Sequence, residues 1–325
     1  MQNKYFGLIL LMVVVIFFSS CEKNEYAIPL PKTGLNNDCI KRSLGPNIVG
    51  MNIEFTYAMA LPKATGKIVS AQVEATIAGA TGTYLENKSY YTNGSGVDIG
   101  IVVGNPSVTT STKTEVTFSK DTCASTLRYF YYIPEEARGK SVSFTFSSKS
   151  SNGESVSYTM GPYVVSKMDM KLDLVLNDNN YLSIADMAVY NAATAVANAD
   201  KIDLVYLYRA ITGITFLHAL VSPANSEYLP GVTLPAGVTK STKVSKAWAV
   251  RDFNLARLQY GVYIDDVDFD VIDLKDAPNF AINTKAEAGV WVETADGKYR
   301  AYVYVNKVDN TAKTMTVSIK RLQVK

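Results

Sequence analysis

Histidine is almost absent from this 325-residue chain; the single one, His218, lies inside the apolar run ITFLHALVSP. A Ser-His-acid triad would have to use it, yet no GxSxG stretch accompanies it. His218 is therefore expected to pack within a strand. Cysteine is scarce too. The three present are Cys21, Cys39 and Cys123, with no CxxC pair, which removes thiol-redox and cysteine-zinc chemistry. Neither sign of charge prevails: 32 Lys and Arg face 30 Asp and Glu, for a net +2. No basic run occurs, and the aromatics do not sit among basic residues, so no nucleic-acid partner is expected. The glycines of TNGSGVDIG precede neither a helix nor a Walker lysine, and the stretch reads as a loop between strands. The acidic run DDVDFDVIDLKD lacks the calcium-loop pattern. Counted from Asp266, Val271 and Ala277 stand where glycine and glutamate are needed. It reads as a solvated acidic face of a short helix. No metal and no cofactor are expected. A carboxylate pair for glycoside hydrolysis leaves no spacing signature, and the expectation is a protein that is not an enzyme.

Long apolar runs are also missing. Leu8–Phe18 falls well short of the roughly 18–20 residues that span a bilayer. Lys4, this apolar run and Ser19-Ser20 follow the order of a secretory signal peptide. Phe18-Ser19-Ser20-Cys21 resembles the lipobox of bacterial lipoproteins, with Phe18 where leucine is usual. The resemblance implies that residues 1–20 are removed and that Cys21 carries the lipid, anchoring the chain to the membrane. Glu22 and Glu25 resemble the surface-export signal of such proteins, which implies an outward-facing outer-membrane lipoprotein. Cys39 and Cys123 then remain, in a compartment where thiols oxidise. As a pair they would close a loop of about 85 residues, worth about 4–5 kcal/mol on the chain-entropy model. The alternative is two separate buried thiols.

What is abundant is apolar residues, 47% of the chain, enough for two packed cores in the roughly 300 residues beyond the leader. Residues 21–33 read as a tether, with Pro29 and Pro31 favouring extension. Residues 34–168 read as a β-sandwich of immunoglobulin-like size. Ile53, Phe55 and Tyr57 alternate, as do Val73, Ala75 and Ile77. Val142, Phe144 and Phe146 lead to the Asn152-Gly153 turn, a hairpin mark, before Val156 and Tyr158 resume. Residues 169–325 read as an α+β domain, so the chain as a whole is mainly β. Helices are expected at Ala192–Ala199, around Ser245–Gln259 and at Asp265–Leu274. Strands are expected at Ile202–Tyr208, at ITFLHALVSP and on both sides of Asp296-Gly297.

Tyrosine, at 21 residues, outnumbers the 12 phenylalanines. Flat rings stack on sugar faces, and amides and acids bind hydroxyls. Tyr90, Tyr91, Trp248, Trp291, Tyr302, Tyr304 and Asn306 are therefore the candidate ligand-binding residues. Tyr302, Tyr304 and Asn306 share one strand face, opposite Ala301, Val303 and Val305. The competing reading of these rings is cross-strand packing.

The stretches LNNDCIKRSLGPNIVG, NADKIDLVYLY, LVSP and ETADGKYRAYVYVNKVDNTAKTMTVSIKRLQVK together resemble a family of two-domain Bacteroidetes surface lipoproteins known only as domains of unknown function. In that family glycine is frequent where Asp186-Met187 stands, and again where Arg300 stands. The resemblance supplies no site residues; through association with nutrient-capture systems it implies glycan as ligand. The expected function is thus a lipid-anchored cell-envelope binding or accessory lipoprotein, with a glycan or surface protein as partner. The alternative is a structural or adhesive fimbrial-type subunit pairing through exposed strand edges. Such subunits are trimmed after an arginine beyond the tether, and Arg42 is the first here. A carboxylate-dependent hydrolase ranks third.

Overall fold

The computed structural model describes residues 32–325. The leader, Cys21 and the tether up to residue 31 lie outside the described residues. Among those described, no helix is long and apolar enough to cross a membrane.

The first half carries eleven strands. They are β1 (Asn36–Lys41), β2 (Asn52–Ala60), β3 (Ile68–Ala75), β4 (Tyr84–Leu85), β5 (Lys88–Thr92), β6 (Asp98–Val102), β7 (Val108–Thr110), β8 (Lys113–Thr117), β9 (Ala124–Tyr132), β10 (Ser141–Ser150) and β11 (Ser155–Val164). Two antiparallel sheets, ordered β1-β2-β9-β4 and β11-β10-β3-β8-β7, close face to face. Period-two alternation decides which side chains meet. Ile53, Phe55, Tyr57 and Met59 of β2 and Leu127, Tyr129 and Tyr131 of β9 are buried against Val142, Phe144 and Phe146 of β10. Phe55 lies 4.8 Å from Phe144 and 5.2 Å from Phe146 between ring centroids, at tilts that suit aromatic quadrupoles. The Asn152-Gly153 turn joins β10 to β11 as read, with Gly153 at φ +89°. TNGSGVDIG is the turn of the β5–β6 hairpin, which lies beside β9.

The disulfide reading is corrected here. Cys39 of β1 sits opposite Tyr57 of β2, which sits opposite Leu127 of β9, while Cys123 precedes β9 by one residue. The two cysteines are thus two strands apart laterally and four residues apart along the sheet. At about 4.8 Å per strand and 3.3 Å per residue, that is roughly 16 Å, far beyond a bridgeable Cα separation of about 7 Å. Both thiols are free; Cys39 is buried, and its burial, with the nearby Asp38 charge, pushes its pKa up to about 12.

Register also orients the half. Asn36 pairs with Ala60, and Ala60 with Ala124, so the chain enters at the Ala60 end of β2. The Asn52 end adjoins Ile48 and Met51, which pack against Met168, Leu255 and Phe269 of the second half. Nine residues of β2 at about 3.3 Å each separate the two ends by roughly 30 Å.

The second half adds β12 (Asp169–Asn177), β13 (Asn180–Ser183), β14 (Ala188–Tyr190), β15 (Leu204–Ile211), β16 (Ile214–Val221), β17 (Lys243–Trp248), β18 (Phe280–Ala281), β19 (Ala288–Glu293), β20 (Tyr299–Asp309) and β21 (Thr314–Gln323). Its helices are short: α1 (Ala192–Val196), α2 (Phe253–Ala256) and α3 (Asp266–Val271). The sheets are β12-β21-β20-β19-β17 and β14-β13-β15-β16-β18. One core, with Leu182, Leu204, Tyr206, Val303 and Val317, fills the space between them. A second core lies behind β13 and β15 under α1, and a third behind β20 under α2 and α3.

The expected first and third helices form. Asn191 and Thr194 make a capping box for α1, and Asp265 and Asp268 make one for α3. The helix expected around Ser245–Gln259 is corrected: Lys243–Trp248 is a strand paired with β19, and only Phe253–Ala256 is helical. Strand pairing overrides a helical stripe of three residues, of which Leu255 is buried and Trp248 is 52% exposed. His218 packs inside β16. Tyr206 Oη lies 2.8 Å from Nδ1, and Asn310 Oδ1 lies 2.8 Å from Nε2, a pattern that satisfies a neutral imidazole. Burial lowers its pKa against the opposing influence of Asn310 and Asp309.

Two free thiols are the testable consequence. Denatured without reductant, residues 22–325 should alkylate at both Cys39 and Cys123, and reductant should leave the melting temperature unchanged. A mass lacking both adducts would show a bridge.

Candidate functional site

The site begins with a buried charge. Lys320 of β21 is fully buried, and its ammonium donates to Asp252 Oδ2 at 2.6 Å, Asn254 Oδ1 at 2.9 Å and the Ile264 carbonyl at 2.8 Å. An ammonium has three donors, so none is left unsatisfied. Burial lowers the Lys320 pKa, and the Asp252 charge opposes that shift. Asp252 also accepts from Leu255 N at 3.0 Å, as the cap of α2, and from Ile264 N at 2.8 Å. Both ends of the segment between β17 and α3 are thereby tied to one point. Tyr302 Oη donates to the Val250 carbonyl at 2.6 Å and adds a further tie.

This tied segment presents Phe253 and Tyr263, with ring centroids 5.3 Å apart, toward the first half. The facing wall is the turn Gly45-Pro46-Asn47. Gly45 has φ +79°, and a Cβ there would stand 2.3 Å from the Tyr263 ring, so glycine is required twice over. Nearby, Ser166 Oγ donates to Asp266, and Lys167 N donates to the same carboxylate at 3.3 Å. Arg138 bonds the Lys167 and Met168 carbonyls and pairs with Asp169 at 2.9 Å. Asp169 pairs in turn with Arg321.

Between the walls lies a groove of three neighbouring clefts that share wall residues. The first, about 340 Å³, is lined by Pro46, Asn47, Ser166, Tyr263, Asp265 and Asp266 among others. The second, about 310 Å³, shares Pro46, Asn47 and Tyr263 with it and adds Arg42, Asn52 and Phe253. The third, about 610 Å³, shares Met51, Phe253 and Asn254 with the second and reaches Leu258 and Gln259. Clefts between domains are favoured binding positions. This one combines rings, amides and carboxylates. Among the described residues no group of three or more His, Cys, Asp or Glu is placed to hold a metal ion.

None of the ring or amide candidates from the sequence lines this groove. Tyr302 and Tyr304 do share a face of β20, but that face is covered: they are 0% and 3% exposed. Trp291 packs edge-on to Phe269 at 5.5 Å and lies 4.7 Å from Tyr302. Asn306 donates to the Leu255 carbonyl and accepts from Ser318 Oγ. Tyr302 and Tyr304 are therefore corrected from ligand-binding candidates to packing residues, because α2 and α3 cover that face of β20; Trp291 of β19 and Asn306 are half-buried and line no part of the groove. Tyr90 lies beneath the Arg128 guanidinium at 3.9 Å, and Tyr91 is exposed on the β5–β6 hairpin. Trp248 is exposed at the end of β17, with the Lys246 ammonium 4.8 Å from its ring centre. Sequence reasoning missed Asn47, Phe253 and Tyr263; Asp265 and Asp266 were read only as a helix face. Arg300, in its unusual place, donates to the Phe269 and Asp270 carbonyls and pairs with Glu293 at 3.1 Å, holding the C-terminal end of α3.

Lys320→Met should cost about 3–5 kcal/mol, since it strands the buried Asp252 charge. Urea denaturation of the variant measures it.

Residues 32–165 match one domain of unknown function, DUF4466, and residues 166–324 match another, DUF8576. The crystal structure of a DUF4466 family protein from Parabacteroides merdae ATCC 43184 is 50% identical, with a TM-score of 0.84. The alignment covers 90% of this chain and 100% of that one. A C-terminal fragment of the major pilin GBS80 of Streptococcus agalactiae aligns at 12% identity over 55% of this chain and 74% of that one. Its TM-score of 0.30 is too low to bear on fold or function. No curated protein matches the chain. At half of all aligned positions identical, over the whole length of the Parabacteroides merdae chain, this protein belongs to the DUF4466 family.

Proposed function

We propose that the mature chain is a lipid-anchored cell-envelope protein, facing outward, that captures glycan in the groove between its halves without performing chemistry on it. The observation that carries this reading is the groove: the Tyr263 and Phe253 rings stand beside Asn47, Asn52, Asp265 and Asp266. Rings stack on sugar faces, and amides and carboxylates bond hydroxyls. The anchor rests on Phe18-Ser19-Ser20-Cys21, and the outward orientation on Glu22 and Glu25. Support for a spacer role comes from register. The chain enters the sandwich at the Ala60 end of β2, so a groove at the other end stands roughly 30 Å further from the anchor.

The adhesive reading calls for trimming after Arg42. That residue follows β1 directly, its N–H donates to the Glu54 carbonyl at 2.7 Å, and its guanidinium pairs with Glu54 at 2.8 Å. A cut there would detach a paired strand, Cys39 included, rather than a loose tether.

Two experiments test the proposal. In a bacterial lipoprotein-processing host, Cys21→Ser should move the protein from the membrane to the soluble fraction; continued membrane retention would remove the lipid anchor. A glycan array probed with residues 22–325 should show binding that Tyr263→Ala weakens about tenfold, equivalent to about 1.4 kcal/mol. No glycan binding at all would remove the ligand class.

A further inference from the structure

The charge along the groove is uneven. Arg42 is paired with Glu54 at 2.8 Å, and Arg257, in the third cleft, is paired with Asp173 at 2.8 Å. Asp265 and Asp266 line the first cleft with no ion pair among the described residues. Asp265 accepts backbone N–H groups of α3, while Asp266 accepts the Ser166 hydroxyl and the Lys167 N–H. All these partners are neutral donors. The first cleft's lining thus holds two carboxylates and no cation, the buried Lys320 behind Asp265 being bound to Asp252, Asn254 and Ile264, while the other two linings hold only paired cations. Among the residues lining the three clefts, an incoming carboxylate or sulfate would find no unpaired guanidinium or ammonium, and in the first it would face two like charges at close range.

The shape is uneven as well. The three clefts join through shared walls, at Pro46, Asn47 and Tyr263 and then at Met51, Phe253 and Asn254. They lie side by side as open depressions along the surface and not as one enclosed pocket. Rings occur at both joins, Tyr263 at the first and Phe253 at the second. Amides accompany them: Asn47 beside Tyr263, and Asn52 and Asn254 beside Phe253. A repeating polymer with a ring face and hydroxyls in each unit fits such repetition.

From these two features we infer that the groove selects an interior stretch of a linear, uncharged polysaccharide and rejects uronate-bearing or sulfated chains. This rests on the glycan reading proposed above and adds to it a charge filter at Asp265 and Asp266 and a requirement for several consecutive sugar units.

Affinity electrophoresis of residues 22–325 tests both parts, in gels containing starch, galactomannan or mixed-linkage glucan, and in parallel gels containing polygalacturonate or chondroitin sulfate. Retardation is expected in at least one neutral gel and in neither anionic gel. Oligosaccharides of the retained polymer should compete at least tenfold better at four to six units than at one or two. Asp265→Asn/Asp266→Asn keeps side-chain oxygen acceptors at both positions, and asparagine caps helices as well as aspartate. It should keep the neutral retardation and gain clear retardation in at least one anionic gel, where the unaltered protein shows none. Anionic polymers binding the unaltered protein as well as neutral ones would overturn the charge filter. So would an Asn/Asn variant with unchanged anionic retardation. Equal competition by a monosaccharide would overturn the linear-chain requirement. Each of these results would leave glycan capture standing. Retardation in no gel would overturn the inference together with the reading it rests on, and only that result touches both.

Discussion

A single ammonium group organises the segment that forms one wall of the groove. Lys320 is fully buried, and a buried charge is tolerated only when its hydrogen-bonding positions are filled and an opposite charge is adjacent. Asp252, Asn254 and the Ile264 carbonyl meet those conditions, and all three belong to the segment between β17 and α3. An apolar side chain at position 320 could fill the same volume, but it would not dictate where the segment's backbone lies. The ammonium does dictate it, because each of its three protons has a direction. Asp252 extends the control by capping α2 and bonding Ile264 N. The position of Tyr263, next to Ile264 in sequence, follows from that geometry.

The second constraint is the contact between the halves. Ile48 and Met51 from the first half enter a core otherwise built from Met168, Leu255, Ile264, Phe269 and Leu322. Apolar contact of this kind sets no rotation by itself. Direction comes from Arg138 of the first half, which pairs with Asp169 and bonds the Lys167 and Met168 carbonyls, while Arg321 and Ser166 hold Asp169 and Asp266 in place. Such pairs add little energy near a surface, yet they fix the angle at which the Gly45 turn faces the Tyr263 ring.

Much of the architecture is legible in the residues because it is local. Val142, Phe144 and Phe146, followed by Asn152-Gly153, can hardly form anything but a hairpin with one face inside. The alanine-rich run at Ala192–Ala199 and the acids that open Asp265–Leu274 mark two short helices. What was not legible is what tertiary layering adds. The face of β20 that carries Tyr302 and Tyr304 looks half-wet in sequence, because nothing local tells that α2 and α3 cover it. β17 ends on Trp248, where a weak helical stripe running on to Leu258 begins, and its pairing with β19 makes it a strand. Cys39 and Cys123 looked like natural partners until register set them two strands and four residues apart. The groove was the least legible feature. Asn47 and Tyr263 are brought together by the packing of two domains, and no spacing rule reaches across that distance. Asp265 and Asp266 were visible as an acidic stretch, though their position in a cleft was not.

The Gly45–Tyr263 contact has a thermodynamic consequence. Because one wall of the groove belongs to each half, the groove exists only while the halves are docked. A ligand seated between them adds its binding free energy to the docked arrangement and to no other. A change that lowers the docked fraction lowers the apparent affinity in proportion to that fraction, even when it lies far from the groove. For any ligand the groove takes, Arg138, and Arg321 through Asp169, would then bear on affinity without touching it.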